Sequence, residues 1–244
     1  MSGHSKWHSI KHKKAAVDAK RGKIFTKYIR EIQVAARMGG GILDANPRLR
    51  NIVLAAKAAN MPKDNIEKAI KKGTGELEGT TYEEKSYEGY GPGGAAIFVQ
   101  TLTDNSNRTT GEVRHIFTKY NGNLGTSGSV AYMFERKGVI ILDGEKYKEE
   151  QIFDMVLEAN VENIEASDDE LVITCAPDDF EAARKILEDN KIEMLSANIE
   201  FSPKTKTELD PDTARKLANL VDKLEDQDDV QNVYVNADLP EIEE

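Results

Sequence analysis

An α+β fold is expected for this 244-residue chain: an N-terminal three-helix domain followed by two ferredoxin-like βαββαβ domains, one inserted into the other. Three observations predict it. Between residues 23 and 72 apolar side chains recur at helical spacing, interrupted by Gly39, Gly40 and Gly41 and by Asn46-Pro47 and Pro62. From Ala95 onward short apolar runs alternate with amphipathic helical stretches. Their order contains the pattern βαββαβ twice, one copy sitting inside the other.

The first 22 residues are expected to form a mobile basic arm. Their stretch to about Lys23 has only Ile10 and Val17 as large aliphatics, too little apolar surface to hold itself folded. Helix one should span about 22–38, with Ile24, Phe25, Tyr28, Ile29, Ile32, Ala35 and Ala36 inward. Asn46 caps a second helix that carries Pro47 at its first position, and Pro62 opens a third, closed by Gly73. The helical domain is thus 23–75. Residues 73–94 are rich in Gly, Glu and Thr and are expected to be a linker. Its end, GYGPGG, is expected to turn into a strand and not to hold a nucleotide, since no helix and no Gly-Lys-Ser/Thr follows.

Strand 95–103, helix 107–120, strand 129–135, a strand near 198–203, helix 211–226 and strand 230–235 make the outer unit, 76–136 plus 199–240. Strand 138–142, helix 147–159, strands 161–166 and 170–176, helix 178–190 and strand 192–202 make the inserted one, 137–198, with the long run 192–202 expected to be shared by both units. Insertion of this kind is tolerated where the two ends lie close together.

Charge separates the chain into two parts. Residues 1–72 hold 17 Lys/Arg and 5 Asp/Glu, and residues 73–244 hold 16 and 38. A basic module that grips a polyanion is joined to an acidic body that would be repelled by one or would face basic protein. Residues 1–37 alone carry ten Lys/Arg against Asp18 and Glu31. In the arm, Trp7, His4, His8 and His12 interleave rings with cations, a pairing suited to stacking on unpaired bases while Lys neutralises phosphate. The candidate nucleic-acid-binding residues are Lys6, Trp7, His8, Lys11, His12, Lys13, Lys14, Lys20, Arg21, Lys23 and Lys27. Exposed Arg48, Arg50, Lys57, Lys63, Lys68, Lys71 and Lys72 either extend that surface or simply solubilise the helices.

Other chemistries find little support. Transit peptides are Arg- and Ser-rich, unlike this Lys- and His-rich arm. His4, His8 and His12 share a helical spacing but lack a fourth zinc ligand. Cys175, the single cysteine, lies in the strand-like run LVITCA and reads as a packed core thiol in a reducing compartment. His115 has no activated serine to serve, Ser127 and Ser129 lying in a Gly-rich turn without an elbow motif. No enzyme, cofactor, metal or membrane segment is expected. The polar loop TDNSNRT offers Asn105, Asn107 and Arg108 as candidate partner contacts, with Asn107 a helix cap and the Arg108 fork suited to phosphate or carboxylate; fold-holding bonds are the competing role.

The stretches GHSKWHSIKHKKAAVDAKRGKIFTK, MPKDNIEKAIKKG, YEGYGPGGAA, TDNSNRT and GNLGTSGSVAYMF closely resemble the YebC/PmpR family, and the resemblance covers the whole chain. It implies a helical domain first and two α+β domains after. It also implies a bacterial cytoplasmic protein conventionally described as a DNA-binding transcriptional regulator. The mitochondrial relatives are translational activators, so the resemblance equally admits an RNA- or ribosome-binding factor that assists difficult stretches such as proline runs. The expected partner is DNA or ribosomal or transfer RNA, bound by a monomer. The basic aromatic arm favours RNA, and no helix-turn-helix, finger or basic zipper is visible in the sequence. A protein adaptor working through its acidic domains is the third alternative.

Overall fold

The computed structural model describes residues 18–166 and 169–239, with side chains from residue 22. The first three helices are α1 (Asp18–Gly39), α2 (Pro47–Ala58) and α3 (Lys63–Thr74). Their stripes meet in one core of Ile32, Ala35, Ala36, Leu49, Val53, Ala56, Met61, Ile66 and Ala69. Asn46 does more than cap. Its Oδ1 accepts from the Leu49 N–H at 3.1 Å, while its amide donates to the carbonyls of Ala35 at 2.9 Å and Gly40 at 2.8 Å. The residue is 5 % exposed, so it locks the α1 end to the α2 start with every bond made inside the fold. Gly40 leaves α1 with φ +81°, the left-handed conformation that favours glycine after a helix. At Gly73 a Cβ would lie 2.5 Å from the Gln33 carbonyl, so α1 and α3 approach at a distance only glycine allows.

Two four-stranded antiparallel sheets follow, and the α+β class holds. The first contains β1 (Glu83–Tyr90), β2 (Ala96–Thr103), β3 (Asn123–Leu124) and β8 (Val230–Val235) in the order β3-β1-β2-β8. Helix α4 (Ser106–Lys119) and helix α7 (Pro211–Glu225) cover one face around Ile97, Val99, Phe117, Leu217 and Val221. The second sheet is built from β4 (Phe134–Asp143), β5 (Val161–Ala166), β6 (Glu170–Cys175) and β7 (Met194–Pro203) in the order β5-β6-β4-β7. Its helices α5 (Glu149–Val156) and α6 (Phe180–Asp189) pack on one face, giving the chain order βαββαβ. The chain therefore leaves the first sheet after β3 and returns to it only at β8.

Three expectations need correction. Residues 83–90, read as linker, form β1, which pairs with β2 from Glu83↔Thr103 to Tyr90↔Ala96. Four of its first residues, EEKS, are exposed, so it lacks the alternation that marks a strand. GYGPGG is the turn of this hairpin, closed by the Gly91 N–H on the Ala95 carbonyl at 2.8 Å. The apolar run at 129–135 is no strand of the first sheet: residues 131–133 form a 3-10 turn, and β4 begins at Phe134 and runs unbroken through Gly138. Gly138 sustains the strand because any Cβ there would sit 2.7 Å from the Cys175 Sγ and 2.8 Å from Phe180. The run near 198–203 is likewise the end of β7, paired with β4 up to Phe134↔Pro203.

That shared ladder joins the two sheets. Phe134 and Phe201, at the base of β4 and β7, pack with Phe98 and Tyr234 on the face of the first sheet opposite its helices. Phe98 and Phe201 have ring centroids 4.7 Å apart, and Phe201 meets Tyr234 edge-on at 5.5 Å. Strand β2 is thus buried on both faces, which explains its nearly continuous apolar sequence.

Candidate nucleic-acid interface

The cations of the helical unit fall into two groups, divided by what they face. Lys23, Lys27 and Arg30 lie at i, i+4 and i+7 on α1, one stripe of the helix. All three point at the turn that joins α7 to β8. Lys23 Nζ donates to the Asp226 carbonyl at 3.1 Å and contacts its carboxylate at 3.4 Å, and Lys27 Nζ donates to the Glu225 carbonyl at 3.0 Å. Those carbonyls close α7, so two ammonium groups sit at the negative end of its dipole. Arg30 donates to the Asp228 carbonyl and, at 2.8 Å, to the Asp229 carboxylate, and its guanidinium lies 5.4 Å from the Tyr82 ring centre. Arg48 pairs with Glu84 of β1, and Arg50 reaches Glu181 of α6 at 3.7 Å, where Asn51 also donates at 3.0 Å. Burial raises the Glu181 carboxyl, but Asn51, Arg184 and Arg50 bring it below its ordinary value. Five cations of the basic unit therefore bind the acidic body.

Asp229 is the centre of this docking. Its side chain is 2 % exposed and accepts from Arg30 on one oxygen and from Arg108 and Thr109, at 2.8 and 2.6 Å, on the other. Burial pushes its pKa up, and the Arg108 and Thr109 bonds with the Arg30 charge push it further down, so the carboxylate is held ionised below its usual range. Arg108 also pairs with Asp104 at 2.8 Å. Asn105, not Asn107, caps α4, accepting from the Arg108 N–H at 3.1 Å, because the helix starts at Ser106. In the TDNSNRT loop, Asn105 and Arg108 hold the fold, while Asn107 is exposed on α4.

The outward cations form the second group. Lys57, Lys68, Lys71 and Lys72 are exposed and, among the described residues, make no ion pair; Lys68, Lys71 and Lys72 share one face of α3 at i, i+3 and i+4. Lys63 is paired with Glu67 at 3.5 Å. Lys6, Trp7, His8, Lys11, His12, Lys13 and Lys14 lie outside the described residues, and Lys20 and Arg21 occupy the opening turns of α1. Of the candidate set, Lys23 and Lys27 are turned inward, onto the body.

Two further positions bear on chemistry. Cys175 is buried with its Sγ 3.7 Å from the Gly138 carbonyl, and burial pushes the thiol up to about 11, so it is protonated and packed. His115 is exposed on α4.

Glu88 escaped the sequence reading because it sits in the supposed linker. Only 4 % exposed, it accepts the N–H groups of Gly128, Val130 and Ala131, each at 2.7 Å, and so shapes the GTSGSVA turn. Burial raises this carboxyl, and the three N–H donors outweigh it to leave the pKa lowered. Glu88→Ala should leave three amides without their acceptor and cost at least about 2 kcal/mol. Urea denaturation measures the loss, and amide exchange should quicken first at Gly128, Val130 and Ala131. Since the folded pKa is depressed, this stabilisation is complete above the unfolded carboxylate pKa and fades as pH falls through the folded value.

A basic helical unit clamped by salt bridges to an acidic body of two antiparallel sheets defines the class: an α+β protein with one polycationic end. Its relatives place it further. Residues 5–76 match the family described as TACO1/YebC protein N-terminal domain, and residues 82–237 match TACO1/YebC second and third domain. The chain belongs to the TACO1/YebC family. It is 56 % identical over 241 residues to a probable transcriptional regulatory protein of Treponema denticola, covering 99 % of this chain and 98 % of the relative. A protein of the same description from Desulfosudis oleivorans is 53 % identical, with 98 % and 97 % covered. The crystal structure of a conserved hypothetical protein from Aquifex aeolicus superposes with a TM-score of 0.86 at 47 % identity, covering 93 % of this chain and 94 % of that one. The names of the curated relatives point to a regulatory protein. Among the described residues no helix is long and apolar enough to cross a membrane.

Proposed function

We propose that this chain is a nucleic-acid-binding regulator of gene expression that grips RNA through residues 1–21 and the outer face of the helical unit. The observation that carries the reading is the division of its cations. Lys23, Lys27, Arg30, Arg48 and Arg50 neutralise the body, whereas Lys57, Lys68, Lys71 and Lys72 face solvent. Those outer lysines add to a segment whose cations alternate with Trp7, His8 and His12. Lysines supply sequence-independent affinity for phosphate, and aromatic rings add affinity for unpaired bases. The net negative charge of the body disfavours a polyanion over most of its surface and so favours binding at this end. DNA-binding transcriptional regulation is the second reading, favoured by the names of the bacterial relatives.

Trp7 separates the two. A ring stacked on splayed bases contributes about 1–3 kcal/mol and has little to stack on in intact duplex. Trp7→Ala should weaken binding to structured RNA clearly more than to duplex DNA, while Lys13→Ala weakens both about equally. Four affinities at one salt concentration suffice. If Trp7→Ala spares RNA, or affects duplex alone in a sequence-dependent way, transcriptional regulation is the better account.

A further inference from the structure

The turn GNLGTSGSVAYMF leaves one aromatic ring largely in solvent, that of Tyr132, whose hydroxyl is hydrogen-bonded with that of Tyr90. Tyr132 is 66 % exposed, although Val130 and Phe134 on either side are 0 % and 4 % exposed within the aromatic cluster between the sheets. Its backbone is held from two directions. Glu88 accepts the Val130 and Ala131 N–H groups, while Lys204 donates its Nζ to the Tyr132 carbonyl and its backbone N–H to the Met133 carbonyl, both at 2.9 Å. The Met133 N–H returns to the Val130 carbonyl at 2.9 Å. A ring is therefore presented to solvent on a fixed mount, with an exposed ammonium-bearing side chain at its base.

We propose that Tyr132 is a stacking platform for one unpaired base of a single-stranded or looped RNA, with Lys204 drawing in the adjoining phosphate. The inference rests on the nucleic-acid reading above and adds a second contact, on the acidic body, to the one at the basic end. Three features select this partner. The ring offers a π-face that any base can cover, and its backbone is already ordered, so little conformational entropy is lost on binding. A protein hot spot needs a contiguous apolar surround, whereas Thr126, Ser127 and Gly128 in the same turn are exposed and not apolar. Bases within a duplex are already stacked on each other and offer no free face.

The test uses the full chain, a labelled RNA hairpin with an unpaired loop, and the same stem as a blunt, fully paired duplex, compared by fluorescence anisotropy at one salt concentration. Tyr132→Ala should weaken hairpin binding about tenfold and leave duplex binding within about twofold; Tyr132→Phe should stay within about twofold of the parent on both. An unchanged thermal midpoint in both variants shows that the exposed ring carries no fold. If the parent binds the hairpin and Tyr132→Ala binds it equally well, the platform is overturned and the nucleic-acid reading stands. Equal losses for Ala and Phe would overturn stacking in favour of a hydroxyl contact. If the parent binds neither RNA, both the platform and the RNA reading fall.

Discussion

Asp229→Ala is expected to remove about 3–5 kcal/mol of stability, the usual cost of breaking a buried ion pair by deleting one partner. The carboxylate satisfies Arg30, Arg108 and Thr109 at once, and its removal leaves the Arg30 side chain, only 14 % exposed, as a charge without its counter-ion. Surface pairs around the same turn set the scale for comparison. Asp226, whose side chain is 45 % exposed, meets Lys23 and Lys223, and Asp226→Ala should cost less than about 1 kcal/mol. Urea denaturation of the two variants against the parent measures both. A loss at Asp229 no larger than that at Asp226 would mean the two arginines find other partners.

The same residue gives a pH signature. Asp229 has a folded pKa below its unfolded value, so its contribution is complete above the unfolded pKa and is lost as pH falls through the folded one. The parent should lose stability on that acid limb, and Asp229→Ala should show a flatter one. Because Arg30 belongs to α1 and Arg108 to α4, the variant should also loosen the helical unit from the first sheet. Faster proteolysis at residues 75–81, before any loss of the β4–β7 ladder, is the expected sign.

Periodicity carried most of the fold. The stripes of α1, α2 and α3 and the Asn46 cap are written in local spacing, as is the βαββαβ order of the second sheet. Strand β1 was not legible, because EEKS at its start is polar on both faces and its ladder with β2 comes from hairpin closure. Residues 129–133 misled in the opposite sense. SVAYM is apolar enough for a strand, but Glu88, forty residues upstream, captures its amides and fixes a turn. At the candidate site, composition revealed the cationic end but not its two-sidedness. Nothing in the local sequence marks Lys23 and Lys27 as engaged, and only the placement of the α7 C-terminus shows that they are. Asp229 was equally hidden, one acid in the run EDQDD, and only the fold brings it beside β2, where the Leu102 N–H donates to its carbonyl at 2.8 Å.

Removal of residues 1–17 is expected to lower affinity for structured RNA by at least a factor of about 100, through lost phosphate contacts and base stacking together. The deleted stretch holds Lys6, Lys11, Lys13 and Lys14, and each phosphate contact on a single strand contributes about 0.7 to the slope of log K against log salt. The slope should therefore become shallower by up to about 3. A cooperative thermal transition should persist, because the helical core among the described residues is built from Phe25 onward and α1 keeps its Lys23, Lys27 and Arg30 contacts to the body. The salt dependence separates two explanations of a weak truncated protein: a lost contact set shortens the slope, whereas a damaged fold lowers affinity and the unfolding midpoint together. If binding and slope are both unchanged, the polyanion lies on the cations that remain, Lys57, Lys68, Lys71 and Lys72 with Lys20 and Arg21. Neutralising these six should then abolish binding that the truncation spared.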